Sequence, residues 1–173
     1  MSVLGETTPY WALSFAFWLH MLATVAWIGG LVAVVILVLP AAKKTLELET
    51  YANFLEQLQR RLDPLGWLSL AVLFATGLFQ MSANPNYEGL LSISNRWAAW
   101  MLLKHGLFIG MIGISAYLTW GILPALRRIA MRQAKGLDAQ DAAQLQKRET
   151  LLLRINLVLG VLILGLTALA RAA

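Results

Sequence analysis

The stretch WALSFAFWLHMLATVAWIGGLVAVVILVL, residues 11–39, runs without a single Asp, Glu, Lys or Arg. An α-helix needs about 20 apolar residues to cross a hydrocarbon core of ~30 Å at ~1.5 Å per residue, so this run is long enough to span a bilayer. The whole chain agrees with that reading. Its 173 residues are 59% hydrophobic and 13% charged, with mean hydropathy +0.66, where a soluble domain carries roughly a quarter charged residues. The first lysine is Lys43. The run therefore lacks the positive leader of a secretory signal and is expected to persist as a span.

Three more apolar runs follow, giving expected spans at about 11–39, 65–82, 97–124 and 151–170. The fold class this implies is all-α, an integral membrane four-helix bundle forming one transmembrane domain. The first connection carries Lys43, Lys44, Arg60 and Arg61, with Leu48, Tyr51, Leu55, Leu58 and Leu62 at helical spacing. That pattern predicts a short amphipathic helix at the interface, with Asp63-Pro64 opening the second span as N-cap and first helical position. Residues 83–95 hold Pro85, Gly89 and no basic residue and read as a loop. The third connection carries Arg127, Arg128, Arg132, Lys135, Lys147 and Arg148. Gly136 is expected to end the third helix and Asp138 to cap the fourth.

Basic residues gather on the first and third connections, so the positive-inside rule places those in the cytoplasm and both termini outside. The expected location is a bacterial inner membrane with periplasmic termini. Trp11, Trp18, Trp97 and Trp100 near the outer ends fit an aromatic belt. Charge at span ends sets orientation and gives no reason to expect nucleic acid. The chain has no cysteine, which excludes disulfides, thiolate metal sites and cysteine catalysis. It shows no Walker loop, dinucleotide fingerprint or HExxH, and no carboxylate within an apolar run. A proton-coupled carrier and a hydrolase are poorly supported, and the absence of internal repeats argues against an inverted-repeat transporter.

Only two histidines exist, His20 and His105, and both lie inside spans. The first and third spans run in the same direction. His20 is nine residues past Trp11 and His105 nine past Arg96, so at ~1.5 Å per residue both lie about 13 Å below the outer helix ends. Equal depth on parallel helices suits a shared ligand. Two neutral imidazoles can hold haem iron axially or contribute to a copper site. The plainer alternative is that each histidine hydrogen-bonds a neighbouring helix. His20, Ala23, Trp27 and Gly30 share a helix face, and small Ala23 and Gly30 beside flat Trp27 would leave room for a planar ligand. Met101 lies one turn before His105 and offers a soft thioether for copper, with Met81 a further possible support. Lys104 lacks a protein counter-ion and either snorkels or meets an anionic ligand such as a haem propionate, as could Arg96 or Arg171. Arg154 and Asn156 sit at the wrong depth and read as anchoring and packing.

These residues resemble a known family. WLHMLATVAWIGGLVAVVILVLP resembles the first span of CopD-type copper-resistance membrane proteins, and WMLLKHGLFIGMIGISAYLTWGILPALRR resembles a later one. The resemblance implies copper handling at the inner membrane. A more distant similarity is to HemJ-type protoporphyrinogen oxidases, four-span proteins whose first-span histidine and third-span lysine are linked to haem. Those positions match His20 and Lys104, whereas Ala41 stands where that family carries an arginine after its Leu-Pro.

The leading expectation is b-type haem, with copper as the alternative, held between His20 and His105 for electron transfer or within a larger membrane redox complex. A periplasmic redox or copper partner fits the outer position of the site. Copper transport, porphyrin oxidation and a ligand-free accessory subunit remain the other readings.

Overall fold

A computed structural model describes residues 9–135, 137 and 141–172, with the backbone alone at Leu48 and Ala134. Four long helices account for nearly all of it: α1 (Tyr10–Thr45), α2 (Leu48–Ser82), α3 (Arg96–Gln133) and α4 (Ala142–Ala172). No strand occurs among the described residues. All four are long and apolar enough to cross a membrane, and in the most apolar window of each only 17–22% of residues are buried by protein. The remaining apolar surface, including Val25, Leu37, Phe74, Trp120 and Val158, points outward. A soluble bundle would bury such a face; in a membrane protein acyl chains cover it.

α1 packs along α2 and α3 along α4, while α2 also meets the latter part of α3 and α1 meets α4. The helices therefore run in chain order around the bundle, with α1 and α3 on a diagonal. Residues near Tyr10, Ser82, Arg96 and Ala172 form one end, called the histidine end below. The other end carries Lys43, Arg60 and Arg127 and is called the basic end.

Helix α2 begins earlier than its sequence suggests. Asp63-Pro64 does not open it; Pro64 lies inside a continuous helix that starts at Leu48. The expected interfacial helix is the first half of α2. Its apolar stripe has a protein partner at the basic end, where Tyr51 and Leu55 are buried against Leu39, Ala42 and Leu126. Packing against α1 and α3 keeps the helix running through Pro64, whose missing N–H and ring crowding would otherwise favour a break.

Two other prolines leave a mark on the backbone. In α1 the segment Ala33–Val38, and in α3 the segment Leu118–Ile122, widen to π-helix just before Leu39-Pro40 and Leu123-Pro124. Proline cannot donate to the carbonyl four residues back, and a widened turn absorbs the clash. The loop at 83–95 is irregular as expected, with Gly89 at φ 133° where a Cβ would be strained. Asn95 ends the loop by accepting the Ala98 N–H at 2.7 Å, an N-cap for α3. The expected roles of Gly136 and Asp138 lie outside the described residues. Trp11 and Trp18 are exposed near the histidine end, but Trp97 is buried against Met81, Ala98 and Ala170 and is a packing residue there.

Candidate functional site

Between the helices at the histidine end lies a cavity of about 640 Å³. That is within the range of roughly 300–1,000 Å³ typical of small-molecule and cofactor sites. His20 from α1 and His105 from α3 both line it, together with Met101, Lys104 and Trp27. Two helices on opposite corners of the bundle thus bring their histidines to one space.

The hydrogen bonds of each imidazole fix its tautomer. On α2, the Thr76 hydroxyl donates to the Val72 carbonyl at 2.6 Å, which spends its only proton. The contact between His20 Nδ1 and Thr76 Oγ1, 2.8 Å, must then be Nδ1–H donating to oxygen. On α3, His105 Nδ1 lies 2.6 Å from the Met101 carbonyl, an acceptor only, so this nitrogen also carries the proton. Each Nε2 is left with a lone pair, and among the described residues neither makes a hydrogen bond. An Nδ1–H held by an oxygen acceptor with Nε2 left basic is the usual arrangement of a metal-ligating histidine. Gly77 on α2 faces the imidazole; a Cβ there would lie 3.6 Å from His20 Cε1, an ordinary contact.

Charge around the cavity is one-sided. Lys104 and Arg171 line it, and no Asp or Glu does so among the described residues. An anionic guest would therefore meet cations without a competing carboxylate. Four methionines, Met21, Met81, Met101 and Met111, also contribute to the wall. No group of three or more His, Asp or Glu side chains converges as a metal site among the described residues. A bare ion held by nitrogen and oxygen ligands alone would be under-coordinated here. A group bringing its own equatorial ligands needs only the two histidines, and copper(I) could add thioether sulfur.

Not every expected site residue comes to this cavity. Gly30 lines a smaller cavity toward the basic end, and Arg96 starts α3 without lining either. Trp27 lines both cavities and forms part of the wall between them.

Sequence reasoning missed Thr76, the partner that orients His20. It also missed the polar lock at the basic end. There Glu149, only 1% exposed, accepts the Tyr51 hydroxyl at 2.9 Å, with Lys43 Nζ 3.8 Å away. Lys43 in turn donates to the Gln146 carbonyl at 3.0 Å and to Thr150. Nearby, Asn156 donates to Ser115 at 2.9 Å, which agrees with the packing role expected for it. A threonine in an apolar helix and a glutamate just before a span carry no sequence signal of their partners, because helix order is not written in periodicity.

Together the fold and the cavity define a multi-pass α-helical membrane protein with a two-histidine pocket near one end. The chain matches the family model described as Copper resistance protein D over residues 56–170, about two-thirds of its length, and belongs to the CopD family. The matched stretch contains Met101, Lys104 and His105 but begins after α1, so His20 and Trp27 rest on the geometry alone. No curated protein and no solved structure matches the chain.

Proposed function

We propose that this CopD-family membrane protein holds a b-type haem in its 640 Å³ cavity, where His20 and His105 are the residues that would hold its iron. The observation that carries the reading is the pair of imidazoles on diagonal helices, each with Nδ1–H tied to an oxygen and Nε2 left basic. Cavity size favours a porphyrin over a single ion. Lys104 and Arg171, with no acid beside them among the described residues, suit the propionates. Trp27 and Phe108 offer flat apolar surface to the macrocycle. When bound, the group would supply one-electron transfer. The chain's own part is to orient the two nitrogens, neutralise the carboxylates and keep bulk water from the centre. With the basic residues cytoplasmic by the positive-inside rule, the site would lie in the periplasmic half of the inner membrane. A periplasmic partner or a neighbouring subunit of a redox complex could then exchange electrons with it.

A second reading is copper, ligated by His20, His105 and Met101. Four methionines lining the same cavity favour it, and so does the family. Softness of the thioether suits copper(I), and this reading implies passage or storage of the ion in place of electron transfer.

The absorption spectrum of the purified, dithionite-reduced protein, taken with its metal content, tests both. A Soret band and a sharp α band, both lost in His20→Ala and in His105→Ala, are the result expected. Stoichiometric copper without haem bands, lost in Met101→Leu, would establish the second reading against the first. Neither ligand, in protein purified from iron- and copper-replete cells, would overturn both and leave an accessory subunit.

A further inference from the structure

The basic end carries two cavities of nearly equal size that differ in charge. One, about 390 Å³ between α2 and α3, is lined by Arg60, Arg127 and Arg128 but also by Glu56 and Asp63. Arg60 at 2.9 Å and Arg127 at 3.0 Å both grip Glu56, so two of its three cations already have a counter-ion. The other, about 380 Å³ between α1 and α4, is lined by Lys43, Lys147 and Arg154, with no Asp or Glu in its wall among the described residues. Lys43 is partly matched. It donates to the Gln146 carbonyl and to Thr150, and lies 3.8 Å from Glu149, which is buried and does not line the cavity. Lys147 and Arg154 have no carboxylate within ion-pair distance among the described residues.

The α4 side of this cavity is one stripe of the helix. Gln146, Lys147, Thr150, Leu151 and Arg154 line it, and their spacing keeps them on a single face. Leu151 is exposed, and Ile155, Val158 and Leu162 continue from it at intervals of four, three and four, all exposed on the face that acyl chains cover. A cationic cavity thus opens onto an apolar track. A guanidinium offers two parallel N–H donors to phosphate oxygens, and an ammonium adds a point charge. The volume lies in the range of small-molecule sites. Free phosphate would use the cations alone, whereas a phospholipid uses the cations and the track. With the basic end cytoplasmic by the positive-inside rule, the cavity faces the leaflet in which basic pockets between spans meet anionic head groups.

We propose that this cavity binds the phosphodiester head group of an anionic phospholipid of the phosphatidylglycerol kind. Lys147 and Arg154 hold the phosphate, Lys43 adds a third positive charge from α1, and an acyl chain follows Leu151, Ile155 and Val158. A zwitterionic head group would bring its own cation against these three and bind less well. This proposal does not depend on what the larger cavity holds.

The test is equilibrium binding of tritiated dioleoyl-phosphatidylglycerol to the full chain in neutral maltoside micelles. Dioleoyl-phosphatidylcholine and sn-glycerol 3-phosphate serve as competitors. The expected result is saturable binding of one molecule per chain, with both competitors at least about tenfold weaker. Lys147→Gln/Arg154→Gln should lower the affinity at least about tenfold, and Lys147→Gln alone about threefold. Arg127→Gln/Arg128→Gln removes the same charge from the other cavity at the same end and should change the affinity less than about twofold. His20→Ala should leave this binding intact, which separates the proposal from the haem reading. Absence of saturable binding, equal affinity for phosphatidylcholine, or equal losses in the two double variants would overturn it, the last by showing attraction to diffuse surface charge. Glycerol phosphate competing as well as the lipid would also overturn it, in favour of a soluble phosphate.

Discussion

The two ends of the bundle solve opposite problems with the same four helices. At the histidine end the helices stand around a space of about 640 Å³ with cations and, among the described residues, no carboxylate in its wall. At the basic end charged and polar side chains tie the helices to one another. Glu149 is sealed by Tyr51 and Lys43, Asn156 is held by Ser115, and Glu56 is shared by Arg60 and Arg127. Opposite charges meet at one end, whereas charges of one sign face an open volume at the other. A bundle in lipid gains little from squeezing apolar side chains out of acyl chains. Specific polar contacts and packing must therefore fix how the helices meet: the charged ties gather at the basic end, while at the histidine end His20 bonds Thr76 and Gln80 donates to the Ala16 carbonyl between α1 and α2. The division expected is stability at the basic end and ligand binding at the histidine end.

Glu149→Ala is the severest test of that division. It strips the Tyr51 hydroxyl of its acceptor and Lys43 of its counter-ion, and losing one member of such a buried set costs about 3 kcal/mol. Equilibrium unfolding in mixed micelles should record that loss. Glu149→Gln, which still offers a carbonyl oxygen to Tyr51, should recover about half. His20→Ala should do the reverse, removing the ligand while costing under about 1 kcal/mol in ligand-free protein, since Thr76 keeps its bond to Val72. Comparable stability losses in Glu149→Ala and ligand-free His20→Ala would break the division.

The sequence carried much of the histidine end and little of the basic end. Four spans, two histidines at one depth and the isolation of Lys104 follow from apolar run length, charge placement and helical rise, which are local quantities. Which face each histidine turns inward, and that Thr76 would take the proton of His20 Nδ1, depend on how α1 packs on α2. The start of α2 at Leu48 depends on packing in the same way. Asp63-Pro64 has the local chemistry of a helix opening, but Tyr51 and Leu55 find buried contacts on Leu39 and Leu126, residues distant in sequence. Glu149 lies outside the apolar run of α4, so nothing local distinguishes it from a solvated interfacial acid.

Two glycines on α2 sharpen the comparison with smaller effects. A Cβ at Gly66 would lie 2.7 Å from Trp27 Cζ3, closer than side chains tolerate, so Gly66→Ala must drive the indole aside. Overpacking of this kind costs about 1–2 kcal/mol. Because Trp27 is part of the wall between the cavities, its displacement should also shift the tryptophan emission. At Gly77 the added Cβ would sit 3.6 Å from His20 Cε1, ordinary contact. Alanine's better helix propensity then decides the sign, and Gly77→Ala should raise stability by up to about 1 kcal/mol with the histidine end intact. The same substitution, eleven residues apart on one helix, should move the unfolding midpoint in opposite directions.

The smallest effect belongs to Arg127. Its guanidinium lies 3.0 Å from Glu56, on which Arg60 also sits at 2.9 Å, and both arginine side chains are more than half exposed. Arg127→Ala leaves Glu56 with a partner and removes a pair that water and salt already screen. The loss should be below about 1 kcal/mol and should shrink further between 0.05 and 0.5 M salt, as the screening length falls to a few ångström. Glu149 is shielded from that solvent, and the cost of its replacement should hardly change over the same range. Unfolding both variants at the two salt concentrations separates the two kinds of charge at one end of the molecule. A salt-insensitive loss at Arg127 would mean that the rim of the basic end, and not its buried glutamate alone, holds the helices in register.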